Sequence, residues 1–191
     1  MTKWIIIGVL ALLVIWVFSS YNGLVSKEQD VNKAWGNVES DYQRRADLIP
    51  NLVNTVKGSA NFEQETLTKV MEARASATQV KIDASSLTPD NVAAFQQAQS
   101  GLSSALGRLL AVSENYPDLK ASESFRDLQA QLEGTENRIN VSRQRFNDAV
   151  NVYETSRRSF PAVIFSGMMG FKEKGYFKAD AGAEKAPEVK F

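Results

Sequence analysis

Residues 24–56 read LVSKEQDVNKAWGNVESDYQRRADLIPNLVNTV, and the spacing of their apolar side chains decides the fold. Leu24, Val31, Trp35, Val38, Tyr42, Ile49, Leu52 or Val53, and Val56 follow one another at steps that alternate between three and four, once Glu28 and Arg45 are set in the slots between them. That spacing is the stripe of a single long amphipathic helix, and no strand-like alternation of comparable length competes with it. Pro50 interrupts the stripe. A proline there removes one backbone hydrogen bond, and a kink is expected rather than an end, because the pattern resumes at Leu52 and Val53. Lys57-Gly58 reads as the stop.

Three further stripes lie downstream. Phe62, Leu67, Val70, Met71, Arg74 and Ala77 suggest a second helix running to about Val80, and residues 82–88 a short linker. Thr88-Pro89 then supplies an N-cap and a proline at the first helical position. The third helix carries Val92, Phe95, Leu102, Leu106, Leu109 and Val112 and ends near Tyr116-Pro117, with Gln96, Gln97 and Gln99 expected on a solvated face. The fourth begins between Ala121 and Ser124 and shows Phe125, Leu128, Leu132, Ile139, Phe146, Val150 and Tyr153. Short connections make successive helices antiparallel neighbours. The fold class is therefore all-α: an elongated antiparallel four-helix-type bundle over residues 26–158, behind an N-terminal transmembrane helix. The first and fourth helices are each roughly 50 Å long at the α-helical rise. Laid antiparallel so that paired numbers sum to about 181, they set Trp35 by Phe146, Tyr42 by Ile139 and Val56 by Phe125.

The same register sets Arg45 opposite Glu136. Two readings stand: a buried charged layer that fixes register and could meet a partner, or two long side chains reaching outward to water. Arg143 on the fourth helix's stripe and Asn147 on or beside it are candidates for a hydrogen-bonded polar layer with them.

Upstream, residues 4–18 (WIIIGVLALLVIWVF) hold no charge, and the uncharged run continues to Lys27. As a helix, residues 4–25 measure roughly 33 Å, enough to cross a hydrocarbon core. Residues 1–25 are assigned as the anchor, with Trp4, Ile7, Leu10, Leu13, Trp16 and Phe18 facing lipid, and Trp4, Trp16 and Tyr21 suited to the interfacial belts. A cleaved signal peptide, cut near Ser19 and Ser20, is the competing reading. Lys3 on one side and Lys27 and Lys33 on the other leave the orientation open.

Downstream, residues 159–178 form a short apolar segment. Its strongest part, residues 160–171, is too short to span a bilayer. Phe160, Phe165, Met168 and Phe171 are candidate interfacial residues, with Lys172 and Lys174 at the rim. The alternative is that the segment caps the open bottom of the bundle. Residues 179–191 are expected to be a flexible tail unless Val189 and Phe191 dock.

Lys plus Arg and Asp plus Glu number 22 each, and a net charge of zero argues against nucleic acid as a partner. The chain has neither cysteine nor histidine, which removes thiol chemistry, the commonest zinc ligands and the commonest general base near neutral pH. No phosphate loop or dinucleotide fingerprint occurs. No catalytic residue, metal or cofactor is expected. The leading expectation is a non-catalytic, membrane-anchored helical scaffold or adaptor, whose partners are the bilayer, proteins of unknown identity and, in a homo-oligomer, further copies of itself. A membrane-shaping or lipid-interface protein comes second, and a small-molecule binder or enzyme using the polar layer third.

The chain resembles the LemA family. The resemblance rests on Tyr21-Asn22-Gly23-Leu24-Val25, on Ala34-Trp35 with Val38-Glu39, and on Arg45-Ala46-Asp47-Leu48-Ile49-Pro50-Asn51-Leu52-Val53. It continues through Glu72-Ala73-Arg74-Ala75, Tyr116-Pro117-Asp118-Leu119-Lys120 and Leu132-Glu133-Gly134-Thr135-Glu136-Asn137-Arg138-Ile139. Arg143, Phe146-Asn147, Val150, Tyr153 and Phe160-Pro161 complete it, so that it covers essentially the whole chain. The resemblance implies an antiparallel helical domain behind an N-terminal anchor in the bacterial cytoplasmic (inner) membrane, with the domain on the cytoplasmic side. It also implies relatives in magnetosome formation, and it brings no catalytic site with it.

Overall fold

The computed structural model describes residues 2–58 and 62–179. The expected tail lies outside the described residues from 180 onward. One helix, α1 (Thr2–Lys57), carries both the apolar run and the amphipathic stripe without a break, and Pro50 is accommodated inside it. It is roughly 80 Å long at 1.5 Å per residue. Its first part packs against little: Trp4 is 78% exposed and Phe18 64%. Burial starts at Leu24 and returns at Val31, Trp35, Val38, Tyr42, Ile49, Leu52, Val53 and Val56, the residues of the stripe.

The other elements are α2 (Gln64–Gln79), a 3-10 turn (Ala84–Ser86), α3 (Pro89–Ser113), α4 (Pro117–Ala121), α5 (Glu123–Arg158) and α6 (Ala162–Phe165). Among the described residues there is no strand. α1 and α5 form the long antiparallel pair, and α2 and α3 form a shorter hairpin laid against α1. Trp35 meets Phe146 with ring centroids 5.5 Å apart, and Arg45 meets Glu136 at 2.9 Å. Both pairs obey the register in which numbers sum to 181. Asp41 reaches Ser142 on one side of its register partner and Arg138 on the other.

The start of α3 has a local cause. Thr88 caps α3, its hydroxyl accepting from the Asn91 N–H at 3.3 Å, and Pro89 takes the first turn, where its missing donor costs nothing. The linker ahead of it is not loose. Ile82 and Leu87 are buried, and the Ile82 carbonyl accepts from Trp35 Nε1 at 3.3 Å. α4, a single turn that the apolar stripes do not announce, opens on Pro117 and buries Leu119.

Buried side chains gather in two clusters. One, near the membrane end, holds Leu24, Trp35, Tyr42, Phe95, Phe146 and Tyr153; the other, far from it, holds Ile49, Leu67, Leu102, Leu109, Phe125 and Leu132. Arg45 lies at the boundary between them.

The segment after α5 is not one interfacial helix. Only Ala162–Phe165 is helical, Gly170 turns with φ +87°, and residues 171–179 run extended back along the bundle. The conformation at Gly170 is one that a side chain would strain.

Candidate functional site

Three polar or amphipathic features stand out from the core. The first is the layer at Arg45. This residue is 2% exposed, a costly place for a charge, and four neighbours hold it. Its Nη1 donates to Glu136 Oε2 at 2.9 Å and to Ser103 Oγ at 2.8 Å; its Nη2 donates to Gln99 Oε1 at 2.8 Å and more weakly to the Gln99 carbonyl at 3.3 Å. The guanidinium lies 5.0 Å from the Tyr42 ring centroid. Gln99 in turn donates to the Ala77 carbonyl at 3.2 Å, so the layer ties α1 to α2, α3 and α5. Gln99 is therefore buried rather than part of a solvated face, because a buried guanidinium needs neutral acceptors as well as its carboxylate. Glu136 remains about half exposed. A cavity of about 330 Å³ opens beside the layer, its walls mostly apolar at Leu106, Leu110 and Leu132.

Arg143 lines a small cavity together with Arg45 and Glu136, and both Arg143 and Asn147 bond to a different element. They hold the second feature, the extended strap of residues 171–179. Asn147 Nδ2 donates to the Phe177 carbonyl and its Oδ1 accepts from the Phe177 N–H, both at 2.9 Å. Gln96 makes the same double contact with Lys178, at 2.9 and 3.0 Å, and Arg143 adds a bond to the Lys178 carbonyl at 2.8 Å. Phe177 itself is buried, stacked on Trp35 at 6.1 Å and edge-on to Phe146 at 5.5 Å and Phe95 at 6.4 Å. Gly175 N–H bonds the Leu87 carbonyl at 2.8 Å, and a Cβ there would meet Pro89 Cα at 2.8 Å. This is the close approach for which the glycine is needed.

Where the strap begins it meets an ionic network. Lys174, expected on a rim, has 3% of its side chain exposed and pairs with Glu28 at 2.9 Å. Its N–H donates to Glu154, which also takes two bonds from Arg157. The Tyr153 hydroxyl donates to the Lys172 carbonyl at 2.8 Å. Burial first, and then the carboxylates of Glu28 and Glu154, hold the Tyr153 phenol well above its usual range. The hydrogen bonds that Arg157 donates to Glu154 raise the Arg157 guanidinium above its usual range, against the opposing effect of burial.

The third feature is the apolar turn of residues 160–170. Phe165 and Phe171, expected at an interface, are buried at 8% and 5%: they close the membrane end of the core. Phe160 and Met168 face outward at 80% and 82%, with Val163 and Ile164 beside them. The turn leans on the apolar part of α1. Phe160 and Trp16 rings are 6.5 Å apart, and Phe171 and Tyr21 5.4 Å. Of the remaining anchor candidates, Trp4, Ile7, Leu10, Leu13 and Phe18 are all exposed. α1 is the one described helix long and apolar enough to cross a membrane.

The strap went unseen in the sequence because it has no period. Its signals were an aromatic at 177, a glycine at 175 and two amide side chains, Gln96 and Asn147, with nothing to pair them. Among the described residues, no group of three or more acidic side chains is placed to hold a metal ion.

Known proteins can be set beside this geometry. The LemA family profile matches residues 34–191. The chain is 26% identical to the magnetosome protein MamQ of Magnetospirillum gryphiswaldense over 82% of its own length and 64% of that protein's. It is likewise 26% identical to magnetosome protein MamQ 2 of Paramagnetospirillum magneticum, over 83% and 64%. Protein LemA of Metamycoplasma hominis is 25% identical over 66% of this chain and 54% of its own. The chain thus spans less than two thirds of the length of these relatives. A match over most of the chain, together with the bundle and the apolar N-terminal helix, makes this protein a member of the LemA family.

Proposed function

We propose that this protein is a membrane-tethered, non-catalytic helical scaffold that presents the outer face of its α1–α5 pair to protein partners. The observation that carries this reading is the continuity of α1. One uninterrupted helix is both the candidate span and the spine of the bundle, so the bundle's orientation to the bilayer is fixed by backbone hydrogen bonds and not by a flexible linker. A tether of that kind raises the effective concentration of the bundle near membrane partners without requiring tight contacts. The outward face is polar and shallow, lined by Asn37, Ser40, Asp41, Asn137, Arg138 and Arg145, a surface suited to another protein rather than to an enclosed substrate. Family resemblance favours the inner membrane of a bacterium, with the bundle on the cytoplasmic side. Two of the relatives are named as magnetosome proteins, which supports a comparable setting for this chain.

Photo-crosslinking residues at Ser40 and Arg145, introduced into the full chain in native membranes, test the reading. Discrete protein adducts from these sites, absent with the same probe at Gln64 on α2, are the expected result. Equal labelling from both faces, or turnover of a small molecule by the pure protein, would remove it.

A second reading, insertion of the apolar turn into one leaflet, is favoured by the Phe160–Trp16 contact. Trp16 precedes Tyr21 by five residues, or roughly 7 Å along the helix, so a bilayer that covers Trp16 also covers Phe160. Vesicle binding by the bundle lacking the anchor should weaken with Met168→Asp. Phe165→Asp is unsuitable for that purpose, because Phe165 belongs to the core.

A further inference from the structure

The groups that fix the strap are those by which proteins hold an extended peptide. Two amide side chains, Gln96 on α3 and Asn147 on α5, each exchange a pair of hydrogen bonds with one strap residue's main chain. They satisfy the backbone as a sheet edge satisfies an added strand, while pockets read alternate side chains. The pockets differ along the strap. Glu28 takes the Lys174 ammonium, the Thr88-Pro89 backbone leaves no room for a side chain at 175, Tyr176 points outward, and Trp35, Phe95 and Phe146 enclose the Phe177 ring. Charge, smallness and aromaticity are thus each selected at a stated position.

The ligand itself belongs to no helix. Among the described residues its one backbone-to-backbone bond to the bundle is from Gly175 to Leu87. It is reached through a turn containing Gly167 and Gly170. Its start is held by the buried Phe171 ring and the Tyr153–Lys172 bond, so the strap can leave the bundle only as a unit, from the Gly170 turn.

We infer that this groove is a peptide-binding site, selective for an extended Lys-Gly-Tyr-Phe-Lys segment, and that it accepts the whole strap, residues 171–179 released at the Gly170 turn, from a second copy of this chain as well as from its own. Every copy carries both the groove and its ligand, and exchange of an identical element reproduces all contacts in the partner molecule. The net charge of zero leaves no long-range repulsion between copies. Two copies anchored in one membrane share an effective concentration that favours the exchange. The inference stands apart from the scaffold reading, since it needs only the groove and the strap.

The test uses two differently tagged full-length variants reconstituted together in phosphatidylcholine vesicles. Phe177→Ala spoils the strap and leaves the groove whole. Gln96→Ala with Asn147→Ala spoils the groove and leaves the strap whole. The mixed pair should co-purify about tenfold better than either variant with itself, the factor that about 1.4 kcal/mol of recovered contacts supplies. A synthetic peptide of residues 171–179 should compete the mixed pair apart, and the same peptide carrying Phe177→Ala should not. Equal recovery of mixed and unmixed pairs, with helical circular dichroism retained, overturns the inference. If Phe177→Ala loses its helical signal, Gly175→Ala replaces it as the spoiled strap. Unfolding of that variant as well would show the segment to be an inseparable piece of core, and the inference fails.

Discussion

Arg45 keeps its charge where water barely reaches, with 3% of its side chain exposed, while Glu136 opposite is 46% exposed. The ion pair is therefore screened at one end, and the buried end leans on Gln99 and Ser103. Glu136→Gln should cost about 1 kcal/mol, because a neutral acceptor remains. Arg45→Met should cost about 2–3 kcal/mol, since it leaves the buried side-chain oxygen Oε1 of Gln99 without its donor. Arg45→Met with Glu136→Met should lie within about 1 kcal/mol of Arg45→Met alone, Glu136 being free to rehydrate. Denaturant melts of the three variants check this, and a Glu136→Gln loss as large as that of Arg45→Met would mean the ion pair dominates. Tyr153 gives a pH dependence. Its phenol is held above the ordinary value in the folded state, chiefly by burial. The unfolded phenol ionises from about pH 10 while the folded one keeps its proton, so this contribution is full below pH 10 and declines as pH rises beyond it. Tyr153→Phe loses the bond to the Lys172 carbonyl, about 1 kcal/mol at neutral pH, but its stability should fall less steeply in alkali. Parallel slopes for the two proteins would show that another group titrates there.

Helices could be read from the sequence because a helix writes its own period into the chain, and α1, α3 and α5 bury the residues their stripes mark except Val112 and Leu128, which are half-buried. The start of α3 was legible for the same local reason. Thr88→Ala should cost about 0.5–1 kcal/mol and Thr88→Ser almost nothing, measured by thermal melting; an equal loss from both would mean that the threonine methyl, and not its hydroxyl, is what α3 uses. The strap is a different case. An extended segment is buried only because a groove made by residues 35, 95, 146 and 147 is waiting for it, and that information is spread over three helices. Lys174 and Gln99 were misplaced by the same logic: a polar residue looks solvated until the partner that buries it, Glu28 or Arg45, is brought beside it. Arg45 with Glu136 was open to reading because both lie on long helices whose register is fixed by their large residues. Arg143 lies on the α5 stripe and Asn147 on or beside it, yet they turn to the strap, which no register argument contains.

At the scale of the molecule, the question is where the bilayer surface falls along α1. The helix is bare from Trp4 to Phe18 and enters the bundle core at Leu24. A hydrocarbon core of about 30 Å takes roughly 20 helical residues, which uses α1 from its start to about Tyr21 and brings the bundle base against the headgroups. On the lipid reading proposed above, the outward side chains of the 160–170 turn lie within the lipid on the same side of the molecule as Trp16. If the bilayer instead ended short of Trp16, Phe160, Ile164 and Met168 would form an exposed apolar patch in water, which soluble surfaces avoid. The chain has no cysteine, so single cysteines carrying a nitroxide report on each depth without background. Labels at Ile164 and Met168 should be more accessible to oxygen than to a water-soluble nickel complex, and labels at Lys172 and Asn137 the reverse. A label at Met168 as open to nickel as the one at Asn137 would set the bundle clear of the membrane, held off by a stretch of α1 that is apolar and yet in water. Burial of that stretch in lipid gives α1 a reason to be apolar there, and the oxygen-accessible outcome is therefore the expected one.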